Sequence, residues 1–429
     1  MASLYASFIT LLLTLAASFT VVGALSTRRD FLGSALRTAA ATAAGGGSGV
    51  LVSSSNWPTI LPIPVANAND DTAAKLTFSP YQITPDASSA LDPSLTPIDS
   101  NKLTQILSKT NGNRGGAVWL GEHHNSVEDH KIQAKLIQDI YQQRKLSGGK
   151  NNNNKMAVGL EMIQLQFQPI LDAYISKQIS DEEMKQQVQW DTRWSWSFEG
   201  YLPIFQTCRE LNIPLIALNV DSEDLGLVEV AGLPALSRDQ IQKYIPDPNG
   251  FAQFARNRYY KTYVDYVISP SYELHKEMGI LRRTITGQIL EEDMPFARFF
   301  SGRILWDESM ASNAYKWVVN NPGGLICCLV GSDHVKFTGG ITGRFQRLAQ
   351  EQELDCTSVI LNPTLIDTRP SGSVSMLSNL AVLASGPNDL TLQLRYLKEG
   401  VDVGSKESRL PESTGGVLAL ADYLVLSNM

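Results

Sequence analysis

Apolar and polar positions fall in blocks along this chain, and the period of each block predicts an element. Gly116-Ala117-Val118-Trp119-Leu120-Gly121 is a short apolar run closed by a turn residue, the pattern of a buried strand. Ser126 then opens a helix, with Asp129 three residues on as in a capping box. Ile132, Leu136, Ile137 and Ile140 form its apolar stripe to about Lys145. The stretch 147–154 (SGGKNNNN) reads as a surface insertion. A second strand follows over 156–161, then helices over 165–177 and 181–190, the latter preceded by a Ser180/Glu183 capping box. A loop with three tryptophans (Trp190, Trp194, Trp196) leads to a helix over 200–211 and a third strand over 213–219. The remaining strands are 324–330, after a helix over 302–319, and 357–361.

Near-continuous apolar strands alternating with helices predict an α/β fold. We expect a mostly parallel central sheet flanked by helices on both faces. Residues 221–300, helical with long loops, read as a helical cap insertion. Residues 69–114 form a polar lead with one helix around 102–108, and 366–429 form a loop-rich C-terminal extension with a short apolar end. The α/β domain then spans 115–365.

The first 68 residues have a different character. Residues 4–22 are apolar and uncharged, and Gly23-Ala24 offers a cleavage site, as in a secretory signal or an uncleaved anchor. Thr27-Arg28-Arg29-Asp30-Phe31-Leu32-Gly33 matches a twin-arginine export signal, and the stretch after it ends in the A-x-A site Ala66-Asn67-Ala68. Two export signals in series predict two membrane crossings: a signal peptide, then transfer into a thylakoid lumen. The alternatives are a secreted protein or one anchored by residues 4–22. Past this segment no stretch is apolar for long enough to span a bilayer, so we expect a mature form that does not span the membrane.

Charge narrows the classes further. Lys and Arg number 36 against 43 Asp and Glu, for a net charge of −7, and removing residues 1–68 makes it −9. An acidic chain without a basic cluster excludes a nucleic-acid backbone binder. Cys208, Cys327, Cys328 and Cys356 have no metal-site spacing, and a bond between Cys208 and Cys356 is left open.

The chemistry is expected at the strand ends, since ligands of open parallel sheets sit beyond the carboxyl edge. Strand one ends in Gly121-Glu122-His123-His124-Asn125, strand two in Glu161, strand three in Asn219 and strand four in Gly331-Ser332-Asp333-His334. Two G-x-x-H turns would therefore face one crevice, with His130 one helical turn beyond the first. Three of the five histidines lie in these turns. Imidazole and carboxylate together suit a transition metal, with His124, Glu161 and His334 as ligands and Glu122 or Glu161 as a general base. The plainer alternative is that these side chains satisfy loop backbone and that Glu161 pairs with Arg193 or Arg303. Phe251, Phe254, Tyr259, Tyr263 and Tyr266 recur every three to five residues, as in an amphipathic core helix. A second reading makes that helix the wall of a tetrapyrrole pocket, because tyrosine can ligate haem iron.

Trp119-Leu120-Gly121-Glu122-His123-His124-Asn125 resembles the opening motif of the ChaN-like haem-binding uptake proteins of the Tiki superfamily. Gly159-Leu160-Glu161-Met162, Ile216-Ala217-Leu218-Asn219, the stretch from Ile304 to Ala311 that contains Asp307, and Gly331-Ser332-Asp333-His334 are similar to its later motifs, in order. The segment 270–311 and the C-terminal Gly415–Tyr423 stretch look like the plant and algal plastid branch. The resemblance implies a parallel sheet with a helical cap and a haem or related tetrapyrrole as small-molecule partner. Glu122, His124, His130, Glu161, Asn219, Asp307 and His334 would surround that ligand. The wider superfamily implies the alternative of a divalent-metal-dependent hydrolase or peptidase, and a structural or assembly factor with a vestigial site is the third reading. A homodimer is compatible with all three.

Overall fold

The structure is a computed structural model that describes residues 76–86, 88, 93–109, 114–147, 155–364, 392–395 and 417–427. Residues 1–68, predicted above to be a targeting segment, the insertion at 148–154 and most of the C-terminal extension lie outside the described residues.

Strands β1 (Phe78–Thr84), β2 (Ser94–Pro97), β3 (Gly116–Glu122), β4 (Met156–Gln164), β5 (Leu215–Asn219), β6 (Leu325–Gly331) and β7 (Asp355–Leu361) belong to the main sheet. β8 (Gln393–Arg395) and β9 (Val417–Ala419) form a separate ribbon, and β10 (Tyr423–Ser427) returns to the main sheet. The order is β2-β1-β10-β7-β3-β6-β4-β5. The six strands from β10 to β5 pair in parallel, and β1 and β2 complete one edge antiparallel. The expected α/β class is thus observed. β3, β4 and β6 are buried along their whole length, which is why their sequences read as apolar runs without alternation.

The helices are α1 (Ser100–Leu107), α2 (Val127–Ser147), α3 (Gln168–Ile175), α4 (Asp181–Gln187), α5 (Trp190–Arg193), α6 (Phe198–Leu211), α7 (Ser222–Ala231), α8 (Arg238–Tyr244), α9 (Pro248–Phe254), α10 (Arg258–Tyr263), α11 (Ser269–Glu277), α12 (Phe296–Asn320), α13 (Ser332–Val335) and α14 (Ile341–Ala349). α1, α2 and α6 pack together, and α7 and α14 pack on α12. The capping box predicted for α4 is complete: Ser180 accepts from Glu183 N, and the Glu183 carboxylate accepts from Ser180 N at 2.7 Å. At α2 only half of the box forms. Asp129 N donates to Ser126 Oγ at 3.1 Å, but the Asp129 side chain accepts from His123 instead of turning back. Ile132, Leu136, Ile137 and Ile140 are fully buried, each contributing about 1.5–3 kcal/mol relative to exposure.

Two segments behave differently from their expected roles. The polar lead supplies β1 and β2, and the C-terminal extension supplies β10, which lies between β1 and β7 in the main sheet. Pro80 and the polar residues of β1 mask a strand at the sheet margin, and partner strands hundreds of residues apart leave no local signal. Cys208, Cys327, Cys328 and Cys356 are all free thiols. No helix of the described residues is long and apolar enough to cross a membrane.

Candidate functional site

Register brings the two G-x-x-H turns together. Glu122 at the end of β3 pairs opposite Gly331 at the end of β6. From there the chain departs in opposite directions: α2 carries β3 over to β4, while α14 carries β6 back across β3 to β7. In open parallel sheets ligands bind in a crevice at such a switch point, just beyond the carboxyl ends of the strands, and the side chains gathered there are taken below as the candidate crevice.

Glu161 enters the same place from β4, whose pairing with β5 shifts register between Leu160 and Gln164. Its Oε2 accepts from Gly331 N at 2.5 Å, and its Oε1 stands 3.1 Å from His334 Nε2 and 3.9 Å from His124 Nε2. His124 Nδ1 contacts Glu122 Oε1 at 2.9 Å, and His334 Nδ1 contacts Asp307 Oδ1 of α12. Both imidazoles are therefore anchored at Nδ1 by buried carboxylates, and both Nε2 atoms face one oxygen of Glu161. Carboxylates in that position fix the ring and its tautomer. The close approach needs glycine at position 331, where a Cβ would lie 2.7 Å from His124 Nε2. Among the described residues, no group of three or more His, Cys, Asp or Glu side chains has an arrangement that would hold a metal ion.

Charge inside the crevice is balanced by imidazole. Burial pushes the Glu122 carboxyl up, but the His124 and His130 rings outweigh it and hold the group far below the usual carboxylate range. Glu161 is likewise pushed up by burial and held low by His334, His124 and the Gly331 N–H. For His334, burial and the Arg303 charge favour the neutral ring, yet Glu161 and Asp307 prevail and raise its pKa. A base must sit near the working pH to take up a proton efficiently, so both glutamates are poorly tuned for that task.

Three residues predicted at the crevice stand behind its wall. Asn219 donates from Nδ2 to the Glu161 carbonyl at 2.7 Å and accepts from Val220 N, fixing the end of β5 against β4. Asp307 is fully buried between His334 and Tyr263, whose hydroxyl donates to Oδ2 at 3.1 Å. His130 stacks on Tyr201 with ring centroids 3.9 Å apart, its Nε2 3.5 Å from Glu122 Oε1. Glu161 pairs with neither Arg193 nor Arg303 directly; Arg193 instead pairs with Glu223 at 2.6 Å.

Tyr201 is a site residue that the sequence did not single out. Its hydroxyl donates to Glu122 Oε1 and lies 3.5 Å from His124 Nδ1. Burial and then Glu122 raise its pKa, keeping it a neutral donor. Its only sequence signal was a place on the apolar face of α6. The tryptophan loop also reaches the site, where His124, Trp194 and Trp196 form a three-ring cluster with centroids 5.0 Å (His124–Trp194), 4.4 Å (His124–Trp196) and 5.0 Å (Trp194–Trp196) apart. By contrast, the aromatic segment 251–266 packs into the core. Phe251, Phe254, Tyr259, Tyr260 and Tyr263 are buried, and the Arg344 guanidinium lies over Phe251, Phe254 and Tyr260 while pairing with Glu308 at 2.9 Å. His275 is half-buried and bonds the Ser271 carbonyl at 2.7 Å.

A parallel α/β sheet with two histidine-bearing turns side by side at its switch point defines the class. The chain belongs to the family described as haem-binding uptake, Tiki superfamily, ChaN, whose pattern matches residues 113–345. A curated relative, the Protein RETICULATA-RELATED 5, chloroplastic, of Arabidopsis thaliana, is 21% identical over 248 residues, which are 54% of this chain and 29% of that protein. The match thus spans less than a third of that relative's length. Among solved structures, ChaN of Campylobacter jejuni with cofacially bound haem aligns at 14% identity and a TM-score of 0.45, covering 83% of this chain and 98% of that one. A mutant of the erythromycin esterase EreC in its open conformation aligns at 13% identity and a TM-score of 0.35, covering 81% and 98%.

Proposed function

We propose that this protein binds haem or a related tetrapyrrole in the crevice at the ends of β3, β4 and β6. The observation that carries the reading is that the family match, residues 113–345, contains all the crevice residues. The side chains fit such a ligand in two respects. His124 is partly exposed, at 18% of its side chain, and its Nδ1 is already fixed by Glu122. Arg303 on α12 has buried Nε and Nη2 donors without a hydrogen-bond partner and lies 3.7 Å from the Asp333 carboxylate, so an acidic side chain of a tetrapyrrole would share this cation with Asp333. His124 and Glu161 would then hold the metal side of the ligand, and Glu122, His130, Asn219, Asp307 and His334 would position them. When bound, haem would supply an iron that an imidazole or carboxylate can ligate, and an intense absorption band. Adding hemin to the full chain is expected to give a Soret shift that His124→Ala weakens; no shift at micromolar hemin refutes the reading.

One observation favours a second reading, a metal-dependent hydrolase. The Nε2 atoms of His124 and His334 both face Glu161 Oε1, each ring backed by a carboxylate. The low proton affinity of Glu122 and Glu161 counts against either as base. Stoichiometric metal in the purified protein, lost in a His124→Ala/His334→Ala double variant, would favour it over haem binding.

We further infer a plastid location, supported by the chloroplastic relative and by the two export signals within residues 1–68. Transfer into the thylakoid lumen by the twin-arginine signal is the finer form of this proposal.

A further inference from the structure

We propose that Trp196 is the stacking face for a planar aromatic ligand in this crevice, so that ring stacking, independent of iron, contributes to affinity; this rests on the tetrapyrrole reading. Trp196 is 37% exposed and is the one aromatic among the exposed large apolar side chains of the described residues. It adjoins both His124, at 4.4 Å, and the buried Trp194, at 5.0 Å, so its indole extends the crevice wall outward. An exposed indole forfeits a large burial gain, and it is maintained here by a loop fixed at both ends. The buried Trp190 donates from Nε1 to the Trp196 carbonyl at 2.8 Å and packs edge-on against Phe198, Tyr201 and Phe205. At the other end of α5, Arg193 donates to Gln164 Oε1 at 2.7 Å and pairs with Glu223. These anchors involve backbone and neighbouring residues, and they leave open the third or so of Trp196 that His124, Trp194 and the rest of the chain do not cover, 37% of the residue. A pre-fixed aromatic surface beside a partly exposed imidazole suits an extended flat ring, which would gain contact without reorganising the loop.

The test titrates the full chain, Trp196→Ala and Trp196→Phe with hemin and with metal-free protoporphyrin, by Soret absorbance and quenching of tryptophan emission. Near-ultraviolet circular dichroism serves as the folding check, and the Phe variant retains a smaller aromatic face should Ala disturb the loop. Stacking on an aromatic side chain predicts a loss of about tenfold in affinity for both porphyrins in the Ala variant. The Phe variant should lie in between. Equal affinity of Trp196→Ala and the wild type for hemin overturns the stacking role and leaves the haem reading standing. So does wild-type binding of hemin without any binding of the metal-free ring. Failure of the wild type to bind either porphyrin overturns both.

Discussion

Removing Asp307 tests whether the crevice is held by a buried carboxylate–imidazole pair. Asp307 is fully buried and His334 nearly so, and Asp307 accepts from both His334 Nδ1 and Tyr263 OH. In Asp307→Ala both donors lose their acceptor, at about 1–3 kcal/mol each. Breaking a buried pair by deleting one partner costs about 3–5 kcal/mol, which agrees with the sum over the two donors. Asp307→Asn keeps the volume and an acceptor but loses the charge, and should cost about 1–3 kcal/mol. Guanidinium unfolding followed by tryptophan emission reads these losses, since Trp306 lies 5.8 Å from the His334 ring. The pH dependence adds a second signature. The folded-state pKa of His334 is raised, so its stabilisation is fully present below the ordinary histidine value of about 6.5 and fades as pH rises through the folded value. The gap between wild type and Asp307→Asn should therefore narrow from pH 6 towards alkaline pH. Stabilities of both variants within about 0.5 kcal/mol of wild type, the scatter of neutral surface changes, or a gap that widens with pH, would refute the pair as described.

The other expectations address single contacts. Gly331→Ala places a methyl group 2.7 Å from His124 Nε2, so it should displace that ring and weaken hemin binding while far-ultraviolet circular dichroism stays native. Tyr201→Phe removes the donor to Glu122 and should cost about 1–2 kcal/mol in a denaturant titration, with the aromatic stack on His130 preserved. Arg344→Leu leaves Glu308 with Arg347 alone and should cost about 3 kcal/mol without altering hemin affinity, since this pair lies in the core. Arg28→Lys/Arg29→Lys should arrest a fluorescent fusion before its final compartment, and unchanged localisation by microscopy would remove the twin-arginine assignment.

Much of the central sheet was legible because β3, β4 and β6 are buried on both faces, which forces continuous apolar runs. The runs at 116–121, 156–161 and 324–330 lie within or one residue from β3, β4 and β6. β1 was not legible, because it lies near the antiparallel margin, carries Pro80 and is paired with residues near position 425. The placement of Glu122, His124, Glu161 and His334 around one crevice followed from the strand ends alone. Their division of labour did not. Whether Asp307 lines the crevice or stands behind His334 depends on the rotation of α12, which the even burial of that helix hides. Tyr201 reaches Glu122 from another chain segment, and no periodicity encodes a contact across 79 residues.

Asp307 and Glu308 are neighbours on one helix, and the contrast between them bears on what the crevice is for. Both carboxylates are fully buried, so each needs a partner to offset desolvation. Glu308 has the Arg344 and Arg347 guanidiniums, which keep their charge at any accessible pH and suit a fixed structural pair. Asp307 has His334, and across the crevice Glu122 has His124 and His130. An imidazole is a less dependable counter-charge, because it can lose its proton near neutrality. It also offers what arginine lacks: a second nitrogen able to donate or to bind a metal. A fold that uses arginine for the core pair and histidine for the adjacent pairs keeps the Nε2 atoms of His124 and His334 at the strand ends, the edge at which ligands of open parallel sheets sit. That selective placement is what the proposed binding centre would need, and a second structural ion pair would not need it.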